Sequence, residues 1–361
     1  MSLVPKHIEK LKPYIAGKPI EEVKRELGLE KIIKLASNEN PLGPSQLALD
    51  AINNMSDLHR YPDSSAFDLR SKIASKFNLQ INNVILGSGS EGIMSSIMRT
   101  FLSSNDEIVA TKNSFIGFRV LANASGIKTH WIPMKDYRYD LHAMSKFINK
   151  NTKLIYLANP DNPTGTYFNN VEFDKFIDTI SKDVLIILDE AYFEYANNQE
   201  DYPDSMKYRY DNVITLRTFS KVYGLAGLRI GYGFAHEKLI HNLMKVKLPF
   251  EPSTTAQLAA MAALDDVSHL KQTLNTNDLN LEKIYKVLNK YNINHIKSFT
   301  NFVTVIFKND SDAKNFCGYM LSKGIILRHL QGFGLKECVR ITTGNNEETN
   351  FFIENIEEYY S

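Results

Sequence analysis

With 361 residues, 43% of them hydrophobic, the chain is long enough for about two domains with sizeable cores. Its 42 basic and 41 acidic residues leave a net charge of +1, which gives no indication of binding to nucleic acid or to an anionic membrane. The two cysteines, Cys317 and Cys338, are too few for a disulfide framework and match no metal-ligand spacing. Since residues 1–10 carry no secretory signal and no apolar run approaches the roughly 20 residues that cross a bilayer, we expect a soluble cytoplasmic protein.

Residues 1–36 are predicted to form an N-terminal arm. Prolines interrupt it, and the amphipathic segment 20–27, closed by Gly28, predicts one helix. The next segment, residues 35–44, combines amide side chains with proline and glycine, which is typical of an irregular loop. A polar loop directly after an apolar stretch lies either at the surface or in the wall of a site.

A large domain is predicted for residues 37–250, because short apolar runs alternate there with longer segments of helical period. The runs are residues 84–86, 108–110, 154–157, 184–188 and 213–216. Runs without polar alternation are buried on both faces, so they predict a mostly parallel sheet flanked by helices, that is, an α/β fold. Ligands of such sheets bind beyond the carboxyl ends of the strands, and a polar segment follows four of these five runs.

A smaller α+β domain is predicted for residues 251–361. Its sequence begins with a helix-favouring stretch, residues 254–265, and continues with the strand-like runs 302–307, 324–328 and 338–342. Helices that alternate with such short strands are typical of an α+β unit.

A glycine-rich segment, residues 87–92, follows the first apolar run and precedes a helical pattern. It matches G-x-G-x-x-G, in which the glycines let the backbone approach a phosphate at a helix N-terminus. A nicotinamide dinucleotide is one interpretation, but it needs an acid at the end of the next strand, whereas Asp106 and Glu107 precede that run. The hydroxyl groups of Ser88 and Ser90 suit a single terminal phosphate equally well.

Three charged residues give the strongest chemical signal. Lys221 follows the run 213–216, where partial desolvation would lower its pKa and make the amine a nucleophile towards a carbonyl. Asp189 ends the most apolar run and is either a helix N-cap or the counter-charge of a protonated ring nitrogen. Arg229 lies between apolar residues and is either a costly buried charge or the partner of an internal anion. Pyridoxal phosphate has the aldehyde, the ring nitrogen and the phosphate that would match these three groups.

Several ordered motifs carry a family resemblance that extends over the whole chain. They are residues 11–14 and 17–23, ASNENP at 36–41, RYP at 60–62, NPDNPTG at 159–165, DEAY at 189–192, SK at 220–221 with LAGLR at 225–229, and RIT at 340–342. With them the chain resembles the fold-type I pyridoxal-phosphate aminotransferases, and within that group the histidinol-phosphate aminotransferases. The resemblance implies pyridoxal 5′-phosphate as cofactor and a homodimer with shared active sites.

The resemblance also implies roles for single residues. Lys221 corresponds to the lysine that holds the aldehyde and moves the proton, Asp189 to the partner of the ring nitrogen, and Tyr192 and Asn162 to donors to the phenolic oxygen. Phe115 stands where the family stacks an aromatic side chain, usually tyrosine, on the ring. The other cofactor residues implied are Gly89, Ser90, Glu91, Ser220 and Arg229, with Tyr61 reaching the phosphate from the second subunit.

Two arginines are candidates for substrate binding. Arg340 lies on the face of its strand opposite Val339 and Ile341, and Arg328 ends an apolar run, so without the family both would be predicted as surface residues. The resemblance implies instead that they form a paired anion clamp for carboxylate or phosphate. The other substrate-binding residues implied are Asn38, Asn162 and Tyr14, the last from the partner subunit.

The resemblance therefore implies transamination of L-histidinol phosphate with 2-oxoglutarate, giving imidazole acetol phosphate and glutamate, a step of histidine biosynthesis. A broad aromatic aminotransferase is an alternative, because an aromatic ring fits the same pocket and Arg340 would hold the carboxylate of phenylalanine or tyrosine. A threonine-phosphate decarboxylase is another, because an electron-withdrawing ring weakens every bond at Cα.

Overall fold

The computed structural model describes residues 3–13, 17–208 and 211–361. Tyr14, implied above to bind substrate, lies outside these residues. The helices of the described residues are α1 (Lys6–Glu9), α2 (Ile20–Leu27), α3 (Gln46–Asn53), α4 (Phe67–Lys76), α5 (Gly89–Phe101), α6 (Ile116–Ser125), α7 (Leu141–Ser145), α8 (Asn170–Ile177), α9 (Phe193–Ala196), α10 (Ser205–Tyr208), α11 (Glu237–Val246), α12 (Thr254–Asp265), α13 (Val267–Lys290), α14 (Asp310–Ser322) and α15 (Asn346–Tyr360). No helix in this described part of the chain is both long and apolar enough to span a membrane.

The strands form one large sheet and two smaller ones. They are β1 (Ile33–Lys34), β2 (Val84–Gly87), β3 (Glu107–Thr111), β4 (Lys128–Ile132), β5 (Thr152–Ala158), β6 (Leu185–Asp189), β7 (Val213–Thr218), β8 (Gly231–Phe234), β9 (His295–Ile296), β10 (Phe302–Ile306), β11 (Ile325–Ile326), β12 (Arg328–His329) and β13 (Cys338–Thr342).

The large sheet has the strand order β2-β8-β7-β6-β5-β3-β4. Its strands β3 to β7 pair in parallel, whereas β8 runs antiparallel to both β2 and β7. The prediction of an α/β fold with a mostly parallel sheet is therefore confirmed. The apolar runs do not predict β4, a partly exposed edge strand, or β8, in which glycines alternate with Tyr232 and Phe234.

Successive side chains of the central strands enter two different cores. Leu154 and Tyr156 of β5 pack on the side of α5 and α6, whereas Ile155 and Leu157 pack on the side of α7 and α8. On the first side the ring of Phe118 stacks on that of Tyr156, with 3.9 Å between their centroids. Burial of both faces explains why these runs contain no polar alternation.

The second part of the structure is an antiparallel sheet, β12-β13-β10-β9, packed against α13, α14 and α15. Ile33 and Leu35 of the N-terminal segment belong to its core, and β1 pairs with β11. Helix α12 packs instead against the core under β2 and β8. The domain boundaries at 36/37 and 250/251 stay a prediction.

The strand directions bring four polar segments to one edge of the large sheet. Strands β2, β5, β6 and β7 run the same way, since β8 is antiparallel to both β2 and β7. Their carboxyl ends lead into residues 88–92, 159–165, 190–192 and 219–221. Open parallel sheets bind ligands at this edge.

Candidate active site

A cavity of about 250 Å³ lies at this edge of the sheet. It is lined by Ser37, Glu39, Gly89, Ser90, Glu91, Phe115, Ala158, Pro160, Asn162, Asp189, Ala191, Tyr192, Thr218, Ser220, Lys221, Ala226 and Arg229. Every cofactor residue implied by the sequence lies in this wall except Tyr61. The side chain of Tyr61 is 79% exposed and stacks on the ring of Phe250, with 4.4 Å between centroids.

Lys221 is half-buried in the wall of the cavity, just beyond the end of β7. Burial, reinforced by the guanidinium groups of Arg340 and Arg229, lowers its pKa to about 8, although the carboxylate of Glu39 acts in the opposite direction. Its Nζ lies 5.6 Å from the centre of the Tyr192 ring. The geometry therefore supplies an amine that is partly neutral near physiological pH and faces the cavity.

Asp189 ends β6 and is only 4% exposed. Its carboxylate accepts hydrogen bonds from the Tyr156 hydroxyl at 2.8 Å and from the backbone N–H of Ala191 at 3.2 Å. Burial nevertheless raises its pKa to about 7, because no cation among the described residues forms an ion pair with it. The N-cap alternative is wrong, since Tyr192 occupies the cap position of α9. A protonated ring nitrogen would supply the missing positive charge.

The N-terminus of α5 forms a cradle that fits a phosphate group. The N-cap residue, Ser88, makes no capping side-chain hydrogen bond, so the first N–H groups of the helix remain available. Gly89 has φ +76°, and a Cβ at this position would lie 2.8 Å from Nη2 of Arg229. Glycine thus lets the helix start approach the guanidinium closely.

Arg229 differs from the expectation of a buried charge. Its side chain is 51% exposed, and Nη2 pairs with Oε2 of Glu91 at 3.3 Å. The residue has φ +51°, which turns it out of the apolar segment that surrounds it in the sequence. Arg229 consequently faces the open cavity, where an anion can contact it without displacing a buried partner.

Tyr192 and Asn162 are held in place by hydrogen bonds from Asn38 and Arg340. Asn38 Nδ2 donates to the Tyr192 hydroxyl at 2.8 Å, and burial raises the pKa of Tyr192 to about 12. Nη1 of Arg340 donates to Oδ1 of Asn162, while Nη2 donates to the Ala36 carbonyl at 2.8 Å. Since Oδ1 of Asn162 is engaged, its Nδ2 is the atom left to donate to a ligand.

The two candidate arginines of the clamp lie side by side. Arg328 of β12 and Arg340 of β13 are direct antiparallel partners, so their side chains share one face of the sheet. Arg340 is 5% exposed and Arg328 is half-buried. The guanidinium carbon of Arg340 lies 5.2 Å from the centre of the Phe302 ring. The sequence alone could not establish this register.

Sequence reasoning missed part of the cavity wall. Ser37, Glu39, Ala158, Pro160 and Thr218 also line it. Glu39 follows the predicted Asn38 directly in the loop, and this neighbouring position is the signal from which a carboxylate near Lys221 could have been predicted.

The model of the aminotransferase class I and II family matches residues 30–356. The chain belongs to this aminotransferase family. It is 40% identical over 353 residues to histidinol-phosphate aminotransferase 1 of Nitrosococcus oceani, covering 97% of this chain and 95% of that relative. It is 41% identical over 354 residues to the histidinol-phosphate aminotransferase of Caldicellulosiruptor saccharolyticus, covering 97% and 98%.

Solved structures show the same fold for this aminotransferase. The histidinol-phosphate aminotransferase of Sinorhizobium meliloti, in complex with pyridoxal-5′-phosphate, has a TM-score of 0.91 at 28% identity over 99% of both chains. The L-threonine-O-3-phosphate decarboxylase of Porphyromonas gingivalis has a TM-score of 0.77 at 21% identity, covering 91% of this chain and 99% of its own. The second similarity concerns the fold alone, so it does not discriminate between the two reactions.

Proposed function

We propose that this aminotransferase binds pyridoxal 5′-phosphate in the cavity and transfers the amino group between L-histidinol phosphate and 2-oxoglutarate. The observation that carries the proposal is that Arg328 lies opposite Arg340, whose Nη1 donates to Asn162 in the cavity wall. Histidinol phosphate has no α-carboxylate, so its phosphate would take the cationic site that glutamate fills with a carboxylate. The relatives at about 40% identity that bear this enzyme's name support the same substrate.

Pyridoxal phosphate, when bound, supplies an aldehyde that takes up the substrate amine and a ring that withdraws electrons from Cα. Nζ of Lys221, with its lowered pKa, would remove the proton from the substrate Cα. The carboxylate of Asp189, which has no cationic partner among the described residues, would hold the proton on the ring nitrogen.

The remaining contacts would fix the cofactor in the plane that the reaction needs. Nδ2 of Asn162 and the Tyr192 hydroxyl would donate to the phenolic oxygen. The free N–H groups of α5, Ser220 and the guanidinium of Arg229 would bind the phosphate. The ion pair of Arg229 with Glu91, at 3.3 Å, is exposed, so a phosphate could replace the Glu91 carboxylate. Phe115 lines the same cavity, and we propose that its ring packs on the pyridine face.

We further propose a cytoplasmic homodimer in which Tyr61 completes the phosphate site of the partner subunit. Tyr61 and Phe250 form an exposed aromatic pair that does not line the cavity of its own subunit. Loss of one hydrogen bond to a charged phosphate should weaken cofactor binding about tenfold in Tyr61→Phe. Equilibrium sedimentation and cofactor titration test this proposal together, and a fully active monomer would contradict it.

The substrate is tested by kcat/KM for histidinol phosphate and for phenylalanine, each with 2-oxoglutarate, in the wild type and in Arg328→Gln. We expect the wild type to prefer histidinol phosphate. The variant should lose about ten- to a hundredfold with the phosphorylated substrate, because a hydrogen bond to a charged group contributes roughly 1.5 to 3 kcal/mol. Preference for phenylalanine would favour the aromatic aminotransferase. Release of carbon dioxide from a phosphorylated amino acid, without conversion of glutamate to 2-oxoglutarate, would favour the decarboxylase.

A further inference from the structure

Two loops meet behind the cavity, and each contributes to its wall and to a buried contact between the loops. Phe115 and Asn162 line the cavity. Their chain neighbours Ser114 and Asp161 do not line it and are 2% and 0% exposed. Oγ of Ser114 donates to Oδ1 of Asp161 at 2.5 Å. This bond joins the loop after β3 to the loop after β5.

The direction of each hydrogen bond around Asp161 is fixed by its partners. Oδ2 accepts from the backbone N–H of Thr164 at 3.1 Å and from its hydroxyl at 2.9 Å. A backbone N–H can only donate, so Asp161 acts as an acceptor, and the single proton of Ser114 points to it. Tyr139 then donates to Oγ of Ser114 at 2.7 Å and accepts from the backbone N–H of Ala158 at 3.0 Å.

Asp161 is a buried carboxylate that depends on this network. Burial raises its pKa to about 6, while the hydrogen bonds from Ser114 and Thr164 and the charge of Arg340 oppose that rise. No lysine, arginine or histidine of the described residues forms an ion pair with it. A buried charge that is compensated chiefly by hydrogen bonds holds its donors tightly, because an unpaired donor or acceptor in such a site is costly.

We propose that Ser114 and Asp161 are positioning residues that keep Phe115 and Asn162 at a fixed spacing across the cofactor cavity. The inference rests on the proposed cofactor, whose flat ring would lie between a face contact from Phe115 and an edge contact from Asn162. Neither Ser114 nor Asp161 touches the cavity, so both act through their neighbours. Without their bond the two loops would move independently, and the gap would no longer match the ring.

The test is a titration of the full chain, stripped of cofactor, with pyridoxal 5′-phosphate. Ser114→Ala should raise the Kd about tenfold and reduce the induced circular dichroism of the bound cofactor. In an Asp161→Asn background the same change should raise the Kd only about threefold, because Asn still accepts from Ser114 but a neutral hydrogen bond is about half as strong. Tyr139→Phe leaves the central bond but removes both the donor to Ser114 and the acceptor of the Ala158 N–H, and it should give a rise of about threefold.

Ser205→Ala is the matched control. Ser205 is 6% exposed and its hydroxyl has no partner among the described residues, so this change should leave the Kd unaltered. The melting temperature of the cofactor-free variants separates positioning from a general loss of stability. An unchanged Kd in Ser114→Ala, or an equal rise in both backgrounds, would overturn the inference. If the wild type itself bound no pyridoxal phosphate, the proposed function would fail first, and the two failures are thus distinguishable.

Discussion

Two consecutive carboxylates, Asp189 and Glu190, lie in two regions that differ in their ion pairs: Glu190 pairs with an arginine, whereas Asp189 pairs with no described cation. Glu190 points away from the cavity, is fully buried and accepts from Nε of Arg217 at 2.9 Å, with Nη2 of the same arginine at 2.8 Å. The guanidinium carbon of Arg217 lies 3.3 Å from the centre of the Phe193 ring. In this region Arg217 offsets part of the cost of burying the carboxylate, although burial still leaves the pKa of Glu190 above its ordinary value.

On the cavity side, Asp189 and Lys221 form no ion pair with a described residue. Asp189 has a raised pKa because it is buried without a cation, and Lys221 has a lowered pKa because burial and Arg340 outweigh Glu39. Burial thus disfavours both the carboxylate of Asp189 and the ammonium of Lys221 in the protein without a ligand. Burial of a charge alone therefore does not indicate function, whereas an uncompensated buried charge in the wall of a cavity indicates a missing ligand.

The largest effect is expected at Lys221. Lys221→Ala removes both the amine that would hold the cofactor and the proposed base at Cα, so the rate of amino transfer should fall by more than about 10³-fold. The rate is measured in single turnovers with glutamate and an excess of pyridoxal phosphate. Lys72→Ala is the control, since Lys72 pairs with Asp265 away from the cavity, and it should retain wild-type rates. Comparable rates in the two variants would remove Lys221 from the mechanism.

The two carboxylates should respond in opposite ways to loss of charge. Asp189→Asn should lower kcat about 10²-fold without lowering the free energy of unfolding of the cofactor-free protein, because it removes an unfavourable buried charge. Glu190→Gln should instead lower that free energy by about 3 to 5 kcal/mol, since it leaves buried Arg217 with only the more distant carboxylate of Asp204, at 3.6 Å. Denaturant unfolding and kcat, measured on both variants, show whether Asp189→Asn loses mainly activity and Glu190→Gln mainly stability. Equal losses of stability would contradict the contrast between the regions.

The third effect is the pH dependence of stability in the cofactor-free protein. The folded pKa of Asp189, about 7, exceeds the ordinary value of 3.8, so the folded state holds this proton more tightly than the unfolded state. Its contribution to the unfolding free energy therefore falls as pH rises from about 4 to about 7, by at most about 4 kcal/mol. Asp189→Asn lacks this contribution, so its stability relative to the wild type should increase over that range. A difference that does not change with pH would show that Asp189 has its ordinary pKa.

Much of the large sheet could be predicted from the sequence because its central strands are apolar on both faces. The run 184–188 and the helix-favouring stretch 254–265 correspond closely to β6 and α12. Strand β8 could not be predicted in this way, because Gly231 and Gly233 take the place of its apolar residues. A Cβ on Gly231 would lie 2.4 Å from the backbone N of Ser90, a contact between distant segments that local sequence does not reveal.

The same limit applies to the site. Lys221 and Asp189 follow strand-like runs, so the convergence of strand ends already predicts that they meet. The bond between Ser114 and Asp161 spans 47 residues, and the opposition of Arg328 and Arg340 depends on the register of an antiparallel pair. Such contacts depend on the completed fold. Half-exposed Arg229 belongs here too, because its outward turn follows from a backbone conformation that apolar neighbours do not predict.

Reduction of the purified protein with borohydride identifies the lysine that binds the cofactor. Purified protein should be yellow, and borohydride treatment followed by peptide mapping should find the pyridoxyl group on Lys221. This result would establish that the uncompensated charges at the carboxyl edge of the large sheet form the cofactor site. A colourless protein that fixes no pyridoxal phosphate, or fixation on a lysine outside the cavity, would contradict it.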